Sequence, residues 1–531
     1  MARRLGFAIL FAACAGLLHL VPGAAMPGQA VGLQEPIAVE GGQITGTPTV
    51  QWTPGVRLFR GIPYAAPPVG QLRWRPPQAV VPWQGVRRAD DFSPACMQLP
   101  TDTEGNAWRE GHVPVSEDCL CVNIWTPARS AADRLPVMVW IHGGGNARGA
   151  ASENQYDGAY LAKKGVVFVS VNYRMNVFGF MAHPELTQES EHRSSGNYAL
   201  LDQIAALQWV QRNIARFGGD AANVTLFGHS AGASNVVSLL ASPLAKGLFH
   251  RALALSGASL AMRTPLAEAE KAGVTFGQTL GAPSLSSLRA KSADEVLRAK
   301  RPQMGPNVDG WVLPQDVYSI FAAGRQSRVP LVVGTVADDA PGAGTAPTAA
   351  AAQANARSTY GDRADRYLKL YPATTDAEAA TSAHAFRTNS ALANARLLAR
   401  LHSKTAQSPV YWYYFTHVSP IPEGEVWGGR PAPSWGAYHG SELMYVFNAF
   451  PFQDWTWRPV DLKLGEMISS MWVNFARTGS PNGSGLPQWP AFDPALDVLM
   501  NFADTPKAQP APHKAQIDFI DEWLAVQRGR R

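Results

Sequence analysis

The chain has 531 residues and a mass of 57.1 kDa, enough to bury one large core or more than one typical domain. Hydrophobic residues make up 46% and charged residues 16%, which excludes disordered, fibrous and multi-span membrane classes. The net charge of +5 is spread over the whole length without a basic run, so nucleic acid is not an expected partner.

Arg3 and Arg4, the apolar stretch Leu5 to Val21 and the small residues up to Ala25 follow the order of a cleaved signal peptide. Residues 1–25 are therefore expected to be removed. Residues 26–531 are expected to act as a single catalytic domain, secreted or periplasmic. No later stretch approaches the roughly 20 apolar residues of a spanning helix, so no stable membrane anchor is expected after cleavage. Cys14 leaves with the signal, and Cys96, Cys119 and Cys121 remain. In an oxidising compartment two of these three can pair, in three ways. If Cys119 to Cys121 is a strand, these two cysteines point to opposite faces and only one faces Cys96 readily. A zinc site is not expected, because there is no second cysteine pair and no histidine pair at ligand spacing.

Val39 to Val86 is rich in Gly, Pro and aromatics, which predicts hairpins and tight turns. Leu135 to Ile141 and Val166 to Val171 are continuous apolar runs, the pattern of strands buried on both faces. Leu200 to Phe217 has helical spacing. Val224 to Phe227, Val329 to Gly334 and Val410 to Phe415 complete the predicted strands. Ala340 to Ala356 is a low-complexity run, a loop or the start of a weak helix. Strands alternating with helices imply a mostly parallel sheet covered on both faces, an α/β class.

The chemistry sits between these elements. Gly228-His229-Ser230-Ala231-Gly232 follows a predicted strand and precedes a helix-capable stretch, Ala233 to Leu240. This is the setting of a nucleophile elbow, where the serine hydroxyl stands clear of a sharp turn. His142-Gly143-Gly144-Gly145 follows Leu135 to Ile141; two of its bare N–H groups, with that of Ala231, can hold an oxyanion. A phosphate loop does not fit, since no Gly-Lys-Ser/Thr follows. His439, on the Gly-flanked loop Trp435 to Leu443, is the candidate base. His183, His192, His250, His384, His402, His417 and His513 read as surface or helix positions. Asp338 and Asp339 follow the strand ending at Gly334, and one of them is expected to hold the His439 tautomer.

These motifs resemble those of the type-B carboxylesterases, α/β-hydrolases that include bacterial p-nitrobenzyl esterases and cholinesterases. The resemblance covers nearly all of the mature chain. It is carried by Phe59 to Ala65, Pro67 to Arg73, Ser116 to Leu120 with Val122 to Ile124, Phe217 to Asp220, the Ser230 pentapeptide, and Gly436 to His439 with Glu442-Leu443. It implies an α/β-hydrolase fold with helical excursions over the active site. It implies a serine carboxylic ester hydrolase working through an acyl-enzyme on a small-molecule ester, without metal or organic cofactor. Lipase, amidase or carbamate hydrolase, and natural-product esterase are the alternatives. A non-catalytic binding protein of the same fold is least expected, because Ser230 and His439 are both present. The resemblance assigns Gly144, Gly145 and Ala231 as oxyanion donors, a Cys96–Cys119 disulfide, and Ser256 as support for the acid. The family's usual Asp-Glu-Gly is Asp338-Asp339-Ala340 here, which puts Asp339 at the triad position. His229 stands where cholinesterases carry Glu, which argues against choline esters; Trp108 and His229 are candidate walls of the substrate pocket.

Overall fold

The computed structural model describes residues 33–48, 53–99, 114–302, 304–339, 347–427 and 430–529. The expected signal segment 1–25 and Trp108 lie outside the described residues. Eleven strands form the main sheet. In chain order they are β1 (Thr47–Pro48), β2 (Arg57–Pro63), β3 (Cys121–Thr126), β4 (Leu135–Ile141), β5 (Val167–Val171), β6 (Gly219–His229), β7 (Arg251–Leu255), β8 (Leu331–Val336), β9 (Val410–Phe415), β10 (Val498–Phe502) and β11 (Lys507–Pro510). Their spatial order is β11-β10-β9-β8-β7-β6-β4-β5-β3-β2-β1. From β5 across to β10 the pairing is parallel, and the two ends are finished by antiparallel strands.

Parallel strands need helices on both faces, and their sequences accordingly carry apolar residues facing both ways. Along β4, Val137, Val139 and Ile141 enter one core while Met138 and Trp140 enter the other. The helices α1 (Tyr198–Asn213), α2 (Ala231–Ala241) and α3 (Asp376–Ala406) pack on the first face. The short α4 (Leu443–Val446) and α5 (Pro459–Thr478) pack on the second. The last helix, α6 (Lys514–Gly529), returns to the first face through Ile517, Phe519 and Ile520. No helix among the described residues is long and apolar enough to cross a membrane.

The predicted strands at Leu135 to Ile141 and Val410 to Phe415 match β4 and β9 at both ends. The strand expected at Val224 to Phe227 is longer at both ends: Gly219 pairs with Leu135 across a register shift, and Gly228 and His229 pair with β7. Cys96 and Cys119 form a disulfide, and Cys121 is buried and free. The low-complexity run becomes helical from Ala349, capped by the Thr348 hydroxyl.

One buried cation ties α3 to the C-terminal helix. Arg396 is fully buried, with Nη atoms 2.8 Å from Asp497, 2.7 Å from Asp518 and 2.7 Å from Asp521. Arg400 shares Asp497 and Asp521, and Lys514 shares Asp518, so each carboxylate keeps a second partner. Arg396→Met is expected to lower the urea midpoint while the α6 amides lose hydrogen-exchange protection.

Candidate active site

Ser230 is the single residue between the end of β6 and the start of α2. Its backbone sits at φ 57° and ψ −124°. A non-glycine residue there stores about 1–3 kcal/mol of strain and persists only where its surroundings over-determine it. They do: Ser230 N–H donates to Leu255 O at 2.9 Å, and Ser234 N–H donates to Ser230 O at 3.0 Å. The flanking glycines are a requirement of space. A Cβ on Gly232 would lie 2.1 Å from the Ile141 carbonyl oxygen, and one on Gly228 2.7 Å from the same oxygen. The turn is thus wedged against the C-terminal end of β4.

The residues after β4 form the second wall. His142 stacks on Tyr173 at 4.4 Å, and the Tyr173 hydroxyl donates to His142 O at 2.7 Å. This pins the loop so that a Cβ on Gly143 would come within 3.1 Å of Ser230 Cβ. Gly144 and Gly145 take left-handed φ values of 103° and 67°. Among the described residues, neither of their N–H groups has an acceptor. Ala231 opens α2, where the first N–H groups of a helix have no intrahelical partner.

His439 Nε2 lies 2.8 Å from Ser230 Oγ. Its Nδ1 is hydrogen-bonded to Asp339 Oδ1, and Asp339 Oδ2 accepts from the Thr335 hydroxyl, four residues back on β8. The two adjacent aspartates divide the work. Asp339 meets the imidazole; Asp338 holds the backbone of the histidine loop. Asp338 N–H donates to Ala437 O, and Ala437 N–H donates to Asp338 Oδ2, both at 2.9 Å. A Cβ on Gly436 would strike that Oδ2 at 2.1 Å. The segment after His439 is anchored by packing: Phe447 meets Trp140 of β4 at 4.9 Å, and Trp140 meets Phe227 of β6 at 4.8 Å.

Burial pushes the His439 imidazole down, but the Asp339 charge and hydrogen bond, with Glu442 beyond, outweigh it; the net shift is upward. The second oxygen of Asp339 accepts from Thr335, and Ser256, which the resemblance implied as support for the acid, donates its hydroxyl to Glu442 Oε1 at 2.6 Å. His229 is buried with its ring 4.6 Å from that of His439. Two further sequence readings change. His417 is buried between Asp461 and Asp504, 2.6 Å from each, rather than on the surface or a helix. His183 is also buried, its Nδ1 accepting from Glu185 N–H at a helix start. Glu442 belongs to the histidine-loop motif, which marks no role for it; for Thr335 the faint signal is its position four residues before an acid, at a strand end. A cavity of about 240 Å³ opens beside His439 and Asp339, lined also by Ser256, Gly257, Ala391 and Asn394.

A parallel sheet with a serine at its central strand–helix turn and a histidine brought in from a late loop defines an α/β-hydrolase. Residues 34–520 match the model of the carboxylesterase family. The chain is 37% identical over 468 residues to fumonisin B1 esterase of Sphingopyxis macrogoltabida, covering 84% of this chain and 83% of that one. It is 35% identical over 528 residues to liver carboxylesterase of Sus scrofa, covering 90% of each. A solved p-nitrobenzyl (PNB) esterase structure superposes with a TM-score of 0.75 at 32% identity, covering 91% of this chain and 99% of that chain. The chain belongs to the carboxylesterase family and is a carboxylic ester hydrolase acting on small-molecule esters.

The wedge at Gly232 is open to test. Backbone atoms cannot move aside as a flexible side chain can, so overpacking here costs at least about 1–3 kcal/mol. Gly232→Ala is expected to lower the urea midpoint accordingly, whereas Gly145→Ala, which meets nothing within 4 Å, strains only its own backbone.

Proposed function

We propose that hydrolysis runs through Ser230 as nucleophile, His439 as general base and acid, and Asp339 as the residue that orients His439. The observation that carries this reading is the unbroken hydrogen-bonded chain from Ser230 Oγ through both imidazole nitrogens to Asp339. Ser230 Oγ attacks the ester carbonyl carbon while His439 Nε2 takes its proton. The carbonyl oxygen becomes an oxyanion, received by the N–H groups of Gly144, Gly145 and Ala231. Collapse expels the alkoxide, which leaves with the proton from His439. Water then attacks the acyl-enzyme, giving its proton to His439; Ser230 recovers that proton as the acid departs. Asp339 is one methylene shorter than glutamate, and its place three residues after the end of β8 supports its reach to Nδ1.

Residues 26–531 act as one catalytic unit in this reading, exported after removal of residues 1–25. The Cys96–Cys119 disulfide supports an oxidising compartment. Similarity to fumonisin B1 esterase brings bulky natural-product esters within the substrate range.

Ser230→Ala is expected to abolish turnover of p-nitrophenyl acetate and butyrate with the fold intact by circular dichroism; retained activity would overturn the assignment. Asp339→Asn is expected to cut kcat by roughly 10³–10⁴, because the imidazole then loses its tautomer control. His439 must be neutral to accept a proton and its ionisation is raised from 6.5. The acid limb of kcat/KM is therefore expected to have its midpoint above pH 6.5.

A further inference from the structure

Behind the His439 imidazole lie two ionisable side chains that the proposed reaction does not use. His229 and Glu442 are both buried, and their nearest polar atoms, Nε2 and Oε1, are 3.9 Å apart. His229 Nε2 has no hydrogen-bond partner, and neither has Glu442 Oε2. Nearby Tyr413 OH and Ser441 Oγ are also buried without partners. Such orphans are rare in a folded interior, and each one calls for a reason. Here they gather on one side of the catalytic histidine.

We propose that Glu442 holds a proton in the resting enzyme and directs it at His229 Nε2, so that the two side chains form a neutral positioning pair against His439. Ser256 Oγ donates to Oε1, leaving Oε2 free to carry the proton. The surroundings agree in sign. Burial raises Glu442 to about 7, opposed by the Ser256 hydrogen bond and reinforced by the Asp339 charge. Burial, then the neighbouring His439, pushes His229 well down, so its ring is a neutral acceptor. The titratable groups facing the pair are Asp339 after β8, Tyr413 on β9, and Tyr438 and His439 on the histidine loop. The tyrosine hydroxyls are raised by burial and stay neutral. Glu442 adds its charge beside His439 only as pH rises. The titrations of Glu442 and His439 are coupled, so the acid limb of the rate profile belongs to the cluster. This inference takes the role of His439 from the reading above, but Glu442 can be read without turnover.

The experiment is difference infrared spectroscopy of the whole protein on either side of pH 7, with the pH profile of kcat/KM on p-nitrophenyl acetate. The wild type is expected to show the C=O stretch of a buried protonated carboxyl that vanishes as pH rises. Glu442→Gln is expected to lack that band and, as a neutral stand-in for the protonated acid, to leave the acid limb close to its wild-type position. His229→Phe keeps a ring but removes the acceptor, so the band is expected at higher frequency. Ser256→Ala removes a hydrogen bond that favours the charged form, so the band is expected to persist to higher pH. A limb that falls by about a unit or more in Glu442→Gln would mean that Glu442 is charged in the wild type and overturn the proposal, and an unmoved band in His229→Phe would break the pair. Should Glu442→Gln not fold, the infrared results of the other two variants decide the matter. Failure of Ser230 to react with a phosphonate would sink the catalytic reading alone, leaving the infrared result to stand or fall separately.

Discussion

The site depends on one close approach of backbone to backbone. The carbonyl oxygens of Ile141 and His142 press into the first turn of α2 where the Gly232 side chain would be. That contact fixes where β4 ends relative to where α2 begins. It forces the turn at Ser230 into a positive φ and lifts the hydroxyl out of the sheet. It also brings the glycine loop after β4 alongside the serine, because the strand that supplies the wedge supplies the loop. Nucleophile and oxyanion donors are therefore one mechanical unit. Their geometry comes from the parallel pairing of β4 with β6, not from any contact between their side chains.

The acid and base are built on a different principle. Both arrive on loops, and loops need fastening. Adjacent aspartates do this from the end of β8. Asp339 faces the imidazole, while its neighbour clasps the backbone two residues before His439. Alternation along an extended chain sends successive side chains in opposite directions, so one short loop serves both purposes. The hydrogen bonding follows: both oxygens of Asp339 are satisfied, by His439 and Thr335, whereas burial drives Glu442, with one oxygen orphaned, toward its neutral form.

Much of this was legible in the sequence, for identifiable reasons. Strands buried on both faces advertise themselves as apolar runs, and β4 and β9 are read to the residue. Glycines that relieve backbone collisions leave a motif, which marks Ser230 and the loop at Gly144 and Gly145. What stays hidden is whatever depends on pairing at a distance. The opening residues of β6 are Gly-Asp-Ala-Ala-Asn and look like a turn, yet they extend the strand. His417 gives no local sign of burial, since its partners Asp461 and Asp504 lie far along the chain. The hydroxyl that meets the second oxygen of Asp339 is that of Thr335, on the strand just before it, and no motif marks it.

The clasp made by Asp338 has a consequence for how such a chain diversifies. Because it joins residue 338 directly to residue 437, the position of the base does not depend on the course of the hundred or so residues between. That span includes α3, whose Ala391 and Asn394 reach the cavity beside the reacting groups. The chemistry and the fit to a substrate are thereby held by separate stretches of polypeptide. A segment grafted between the two halves of the clasp can reshape what the cavity admits while the machinery around Ser230 is left untouched.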